Sequence, residues 1–154
     1  MPVYEVVEAH AYDCGQMARK LRSAHDAALY RMGIKAHREL RHCFDQSAFR
    51  KAWRIDGKLV GLGGITGSHV AATGVVWLAF TEEAKLHKYA LVRTARAELE
   101  AAMKLKHSLS TIILLRDEAS FRFAHYLGFV LSKDWNGHFD TVLMTYKAAE
   151  PVRN

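Results

Sequence analysis

The 154-residue sequence predicts a single mixed α/β domain with a mostly antiparallel central sheet. Three observations carry that prediction. Asp56-Gly57 stands between two strand-like runs, a strong hairpin signal because a type I′ turn needs positive φ at both central positions. Val75-Val-Trp-Leu-Ala-Phe80 is a continuous apolar run followed by a long helical pattern, as expected of a buried parallel strand in a βαβ unit. The segment Ala119 to Phe129 reads as a short amphipathic helix stopped by Gly128, with an apolar strand resuming at once.

Each element follows from its local pattern. Val3 to Val7 is a short β-type run, after which Asp13 is suited to cap a helix. Met17, Leu21, Ala24, Ala28 and Leu29 recur in it at helical spacing until Gly33 interrupts. A second helix is expected from about Lys35 to Cys43, with Ile34, Leu40 and Phe44 facing inward. Phe49 to Ile55 alternates as a strand, and Leu59 to Thr66 returns from the hairpin. Gly61, Gly63 and Gly64 weaken the returning strand and imply a bulge or a close approach to its backbone. Gly67 to Gly74 is a small-residue loop. Past Phe80, Thr81 is expected to cap a helix with Glu82 and Glu83 in its first turn. That helix runs to about Lys106, with Leu91, Ala95, Leu99, Ala102 and Met103 inward. Leu109 to Leu115 is another buried strand, and Asp117 caps the short helix. Phe129 to Trp135 and Thr141 to Tyr146 form a closing strand pair turned at Asn136-Gly137. The order is β-α-α-β-β-β-α-β-α-β-β in one domain over residues 1–148, with a frayed tail at 149–154.

Composition narrows the function classes. Half of the residues are hydrophobic and a quarter charged, as in an ordinary globular protein, and no apolar run approaches the roughly 20 residues that span a bilayer. The N-terminus lacks a basic leader with an apolar core, so a cytoplasmic address is expected and no membrane partner. Cys14 and Cys43 read as two reduced thiols, and neither they nor the nine scattered histidines have metal-ligand spacing, so no metal is expected. The net charge of +6 favours anionic partners. Basic residues gather at Arg31 to Arg41 and at Lys85 to Arg96. The first stretch has no aromatic interleaving or recognisable binding motif, and nucleic acid is not expected as a partner.

The element order, Asp56-Gly57-Lys-Leu-Val-Gly61 in the hairpin, the Val75–Phe80 run and the terminal Leu127-Gly128-Phe129 together resemble the GCN5-related N-acetyltransferase (GNAT) superfamily from Val3 to Tyr146. A narrower pattern is similar to the GNAT-like proteins of tailed bacteriophages. It comprises Trp77-Leu-Ala-Phe-Thr81, Arg93-Thr-Ala-Arg96 and Asp117 to Phe129. The resemblance implies a sheet with a splayed parallel strand pair, and acetyl-CoA as cosubstrate in the V-shaped opening. Main-chain groups of Leu78, Ala79 and Phe80 would pair with the pantetheine arm. The diphosphate would sit on the next helix N-terminus, where free amides and the helix dipole favour negative charge.

The family's Gln/Arg-x-x-Gly-x-Gly/Ala pattern is best matched by Lys85-Leu-His87-Lys88-Tyr89-Ala90. Lys85 takes the first position and Ala90 the last, while Lys88 stands at the central glycine. Its Cβ obstructs a phosphate's approach to the backbone, and its ammonium offers charge neutralisation instead. A basic first turn opposes the helix dipole by about 0.3–1 kcal/mol per charge, which an anionic partner would offset.

The resemblance also implies a tyrosine proton donor five residues before Phe129, where this chain has Ala124. The catalytic candidates that remain are His125, adjacent to that position, Glu82 just beyond the splayed strand, and His69 in the loop before it. Each has a plain structural alternative: a solvent-facing histidine, a helix N-terminal acid, a loop histidine. Two functions follow as expectations. One is an acetyl-CoA-dependent N-acetyltransferase whose acceptor amine is shaped by residues 11–46. The other is a non-catalytic GNAT-like structural or interaction protein of a bacteriophage, with a virion address. A homodimer is a further expectation, with Trp53, Trp77 and Trp135 contributing if exposed.

Overall fold

The computed structural model describes residues 1–114, 117–132 and 141–146. Along the chain the elements are β1 (Tyr4–Glu8), α1 (Ala11–Lys20), α2 (Ser23–Arg31), α3 (Ala36–Asp45), β2 (Ser47–Ile55), β3 (Lys58–Thr66) and β4 (Thr73–Phe80). A 3-10 stretch (Glu82–His87) then leads to α4 (Lys88–Met103), β5 (Ser108–Leu114), α5 (Glu118–Leu127), β6 (Phe129–Leu131) and β7 (Thr141–Tyr146). The strands form one sheet in the order β1-β2-β3-β4-β5-β7-β6. All neighbours are antiparallel except β4 and β5. The predicted fold class is therefore the observed one.

The turn and cap chemistry acts as the residue types dictate. Asp56 (φ 50°) and Gly57 (φ 81°) both take positive φ at the β2–β3 hairpin. Asp117 caps α5 by accepting from the Ser120 amide, and Gly128 ends that helix at φ 108°. The two α4-face glycines of β3 make room for its neighbours. A Cβ on Gly61 would lie 2.9 Å from the Phe80 ring, and one on Gly63 would lie 2.5 Å from a Leu78 methyl.

Three local expectations are corrected. The first long helix is broken at Leu21-Arg22, where extended ψ values of 139° and 131° separate α1 from α2 and add a helix to the predicted order. No glycine or proline marks the break. Its cause is tertiary: the Arg22 amide donates to the Phe80 carbonyl at 2.9 Å, and Leu21 bridges Thr81. Asp13 is not the cap of α1 but its third residue, with a carboxylate that accepts from the amide of His10, the actual cap, at 2.8 Å. Thr81 does not cap the following helix with its side chain, and the α-helix starts at Lys88, after the 3-10 stretch. The expected Asn136-Gly137 turn, Trp135 and the tail at 149–154 lie outside the described residues.

The sheet divides the core in two. On one face Cys14, Met17 and Leu21 of the α1 segment and Leu40 and Phe44 of α3 pack on Ala52, Leu62 and Ala79. On the other, Leu91, Ala95 and Leu99 of α4 and Ala124 and Leu127 of α5 pack on Val60, Val76, Leu109 and Phe129. Trp53 belongs to this second core and is 5% exposed, so it is not available to an interface. Among the described residues no helix is long and apolar enough to cross a membrane.

Candidate active site

The gap between β4 and β5 organises the site. The two strands pair only from Thr73 opposite Ser108 to Val75 opposite Ser110. One further tie follows, from the Thr111 hydroxyl to the Val76 carbonyl at 2.9 Å. Beyond it Trp77–Phe80 and Ile112–Leu114 run apart, because β4 stays in register with β3 while β5 stays in register with β7. This is a V-shaped opening.

The alternation of an antiparallel ladder decides which main-chain groups face the opening. The Thr81 amide donates to the Val60 carbonyl at 3.1 Å, so the hydrogen-bonded pairs fall on alternate residues, Ala79 opposite Leu62 among them. Leu78 and Phe80 therefore turn their amides and carbonyls into the gap, whereas those of Ala79 point at β3. The Phe80 carbonyl is already taken by the Arg22 amide.

The mouth of the V is spanned. Arg22, at the α1–α2 junction, reaches across to Asp117 with two hydrogen bonds of 3.1 and 2.6 Å, and to the Ser120 hydroxyl at 2.8 Å. Both charged side chains are about 10% exposed. Burial works to raise the Asp117 pKa, but the hydrogen bonds from Arg22 and Ser120 outweigh it and leave the carboxyl below its ordinary value. On the α4–α5 face, the Phe80 and Phe123 rings meet at 5.0 Å.

The predicted diphosphate segment follows β4 along the chain and reaches the β1 edge of the sheet. Lys85 is half-exposed and its ammonium pairs with Glu82 at 2.7 Å. The His87 ring meets the Tyr4 hydroxyl at 3.0 Å. His87, at ψ 32°, separates the 3-10 stretch from α4, and no side chain caps the helix there. Lys88 is the first α4 residue, exposed and with ordinary helical φ, followed by Tyr89, 94% exposed, and buried Ala90. The first turn of a helix leaves its amides without intrahelical partners, so donors and an ammonium gather at the start of α4.

The three catalytic candidates stand apart from one another. Glu82 accepts from the Ser23 amide at 2.7 Å at the start of α2 as well as pairing with Lys85. Those two contacts hold its carboxyl down at about 2. Its place is that of a helix N-terminal acid. His69 lies beyond the far end of β4, its ring edge-on to Phe49 at 4.7 Å. His125 is exposed on α5, one residue from buried Ala124.

His25 was not singled out by sequence, and it stands by the mouth. It lies in the first turn of α2, its amide donating to the Arg22 carbonyl at 3.0 Å. Burial, then repulsion from Arg22, depress its pKa below the ordinary 6.5, while Asp117, Glu39 and Asp26 act in the other direction. A half-buried imidazole, its neutral form favoured, therefore lies within electrostatic reach of the Arg22–Asp117 pair. No motif marks it, because the break that positions it is tertiary.

No protein-family profile matches the chain, and no curated protein matches it in sequence. Solved structures match it in fold. The PaiA N-acetyltransferase of Thermoplasma acidophilum, in complex with coenzyme A, is 13% identical over 95% of this chain and 99% of that one, with a TM-score of 0.67. AAC(6')-Ib, in complex with ribostamycin and coenzyme A, is 11% identical over 93% and 92%, with a TM-score of 0.69. An acetyltransferase of the GNAT family from Streptococcus pneumoniae is 15% identical over 93% and 97%, with a TM-score of 0.55. The chain therefore has the fold of the GNAT acetyltransferases. The similarity runs through the whole domain rather than through one motif.

Proposed function

We propose that the protein is an acetyl-CoA-dependent N-acetyltransferase acting on an amine. The observation that carries this reading is the parting of β4 from β5 beyond Val75 and Ser110, followed along the chain by a helix start at Lys88 with no side-chain cap. The amide and carbonyl of Leu78 and the amide of Phe80 suit an extended amide-bearing arm. The first-turn amides of α4 with the Lys88 ammonium suit a diphosphate. Solved proteins of this fold hold coenzyme A. Acetyl-CoA would supply the acetyl group as a thioester. The new C–N bond forms as the C–S bond breaks, the amine yields a proton and the departing thiolate takes one up. We assign His25, in the α2 turn whose amide donates to the Arg22 carbonyl, to accept the first proton. With Ala124 at the usual donor position, the second comes from solvent, and much of the rate rests on positioning.

A non-catalytic role for the same fold is favoured by Ala124 and by the Arg22–Asp117 span across the opening. The comparisons lend no support to a bacteriophage origin or a virion address.

Thermal denaturation with and without acetyl-CoA separates the two readings. A ligand bound only to the folded state adds RT ln(1 + [L]/Kd), about 2.7 kcal/mol at a hundredfold excess over Kd. We expect a rise in Tm with acetyl-CoA that Lys88→Glu removes and Glu82→Gln retains. No rise at millimolar acetyl-CoA contradicts binding. A rise without turnover of any amine, with His25→Asn indistinguishable from wild type, favours the non-catalytic role.

A further inference from the structure

A cavity of about 370 Å³ lies between the sheet and the C-terminal half of α4. Its volume falls at the lower end of the ~300–1,000 Å³ typical of small-molecule sites. The α4 helix offers only the small side chains of Ala95 and Ala102 to this layer, while Leu78 and Trp53 close over Gly63 on the β3 side. The walls are apolar, built by Trp53, Ile65, Val76, Leu78 and Leu99. Close-packed interiors rarely leave apolar space of this size empty.

The rim is charged and incompletely paired. Glu8, Lys51 and Glu98 line the cavity at one end, and His69, edge-on to Phe49, lines it as well. Lys51 is held by Glu8 at 2.6 Å. Glu98 is half-buried and makes no hydrogen bond among the described residues; its charge acts on Lys51 from a distance. Arg50 turns away, its guanidinium over the Phe44 ring at 4.1 Å. Beyond Phe49, at the other end, Lys106 is bound by the Ser68 and Ala71 carbonyls, each at 2.6 Å. Glu98 is thus a carboxylate at the edge of an apolar hole, coupled to Lys51 by charge but with no hydrogen bond among the described residues.

We propose that this cavity binds a small organic cation, an ammonium carried on an aryl or branched alkyl body. Its charge lies against Glu98 and its body against Trp53, Leu78 and Leu99. The site is on the α4 side of β4, whereas the opening lies along that strand's edge, and the proposal does not depend on acetyl-CoA binding. A half-buried carboxylate to which no described residue donates a hydrogen bond is open to an ammonium, and charge-assisted hydrogen bonds are stronger than neutral ones.

The test titrates the full chain, without acetyl-CoA, with phenethylamine and with phenethyl alcohol as the neutral match. Tryptophan emission is followed, with Trp53→Phe identifying the reporting residue. We expect saturable binding of the amine, with the alcohol weaker by about tenfold, or 1.4 kcal/mol. Glu98→Gln should reduce amine affinity by a similar factor and leave the alcohol unchanged. Ala102→Leu, which fills the cavity, should abolish both. Equal binding of amine and alcohol would overturn the cation assignment. The absence of a saturable change, or unaltered binding in Ala102→Leu, would overturn the site. Folding of each variant is checked by circular dichroism, and Glu98→Gln, a near-isosteric rim change, keeps the test decisive if Ala102→Leu unfolds. Failure here leaves the acetyl-CoA thermal shift unaffected, and the converse holds.

Discussion

Among the described residues, Thr81 carries a buried hydroxyl with no hydrogen-bond partner, at the junction where β4 ends and the mouth of the opening begins. A buried polar group left unsatisfied costs about 1–3 kcal/mol. Thr81→Val should therefore leave stability unchanged or raise it, measured as the midpoint of urea denaturation; a large loss would reveal a partner for that hydroxyl. Cys43 makes a second residue-scale case. Burial, then the Glu39 carboxylate, push its thiol up to about 12, and burial raises Cys14 as well. The thiolate is the nucleophile, so both cysteines should resist alkylation at pH 8 in the native state and react once denatured. Rapid native labelling of Cys43 would contradict this environment. Residues whose chemistry is local were legible in the sequence: Asp56-Gly57 needed positive φ, Gly128 the left-handed cap, Asp117 an amide to accept. Thr81 and Asp13 were not, since a capping residue type fits several positions near a helix start and tertiary contacts choose among them.

At the scale of elements, the α1–α2 junction matters most to the site. It was invisible in the sequence because apolar spacing continues across Leu21 to Leu29 in helical phase, although the backbone turns extended to dock on β4. The Arg22–Asp117 pair fastens that junction to the start of α5. Removing one member of a buried pair leaves an uncompensated charge, so Asp117→Ala should destabilise by about 3–5 kcal/mol. The pH dependence has a definite sign. The Asp117 carboxyl titrates below its ordinary 3.8 in the folded state. Its contribution is complete above that value and lost as pH falls through the folded pKa. Wild type should lose stability on acidification more steeply than Asp117→Asn, as read by Tm between neutral pH and the acid range. Parallel curves would mean that the pair contributes nothing. The start of α4 was legible in composition but shifted in place: the basic run marked the segment, and the 3-10 stretch through His87 moved the α-helical N-terminus to Lys88.

For the molecule as a whole, hydrophobic patterning was enough to read the sheet, because each strand's apolar run or alternation follows from the layer it occupies. The V-shaped opening could be anticipated only through family resemblance. It arises from two registers, β3–β4 and β5–β7, that diverge over long range. The catalytic candidates were least legible, since Glu82, His69 and His125 lie apart and His25 enters through a tertiary break. The central claim is that the gap between β4 and β5 holds acetyl-CoA, and backbone amide chemical shifts in solution test it most directly. On titration with acetyl-CoA, the amides of Leu78 and Phe80 and of the first α4 turn from Lys88 to Leu91 should move together and saturate. Those of Ala102 and Leu105, beside the cavity under α4, should stay in place. Shifts confined to the exposed face of α4, or none at Leu78 and Phe80, would contradict the account.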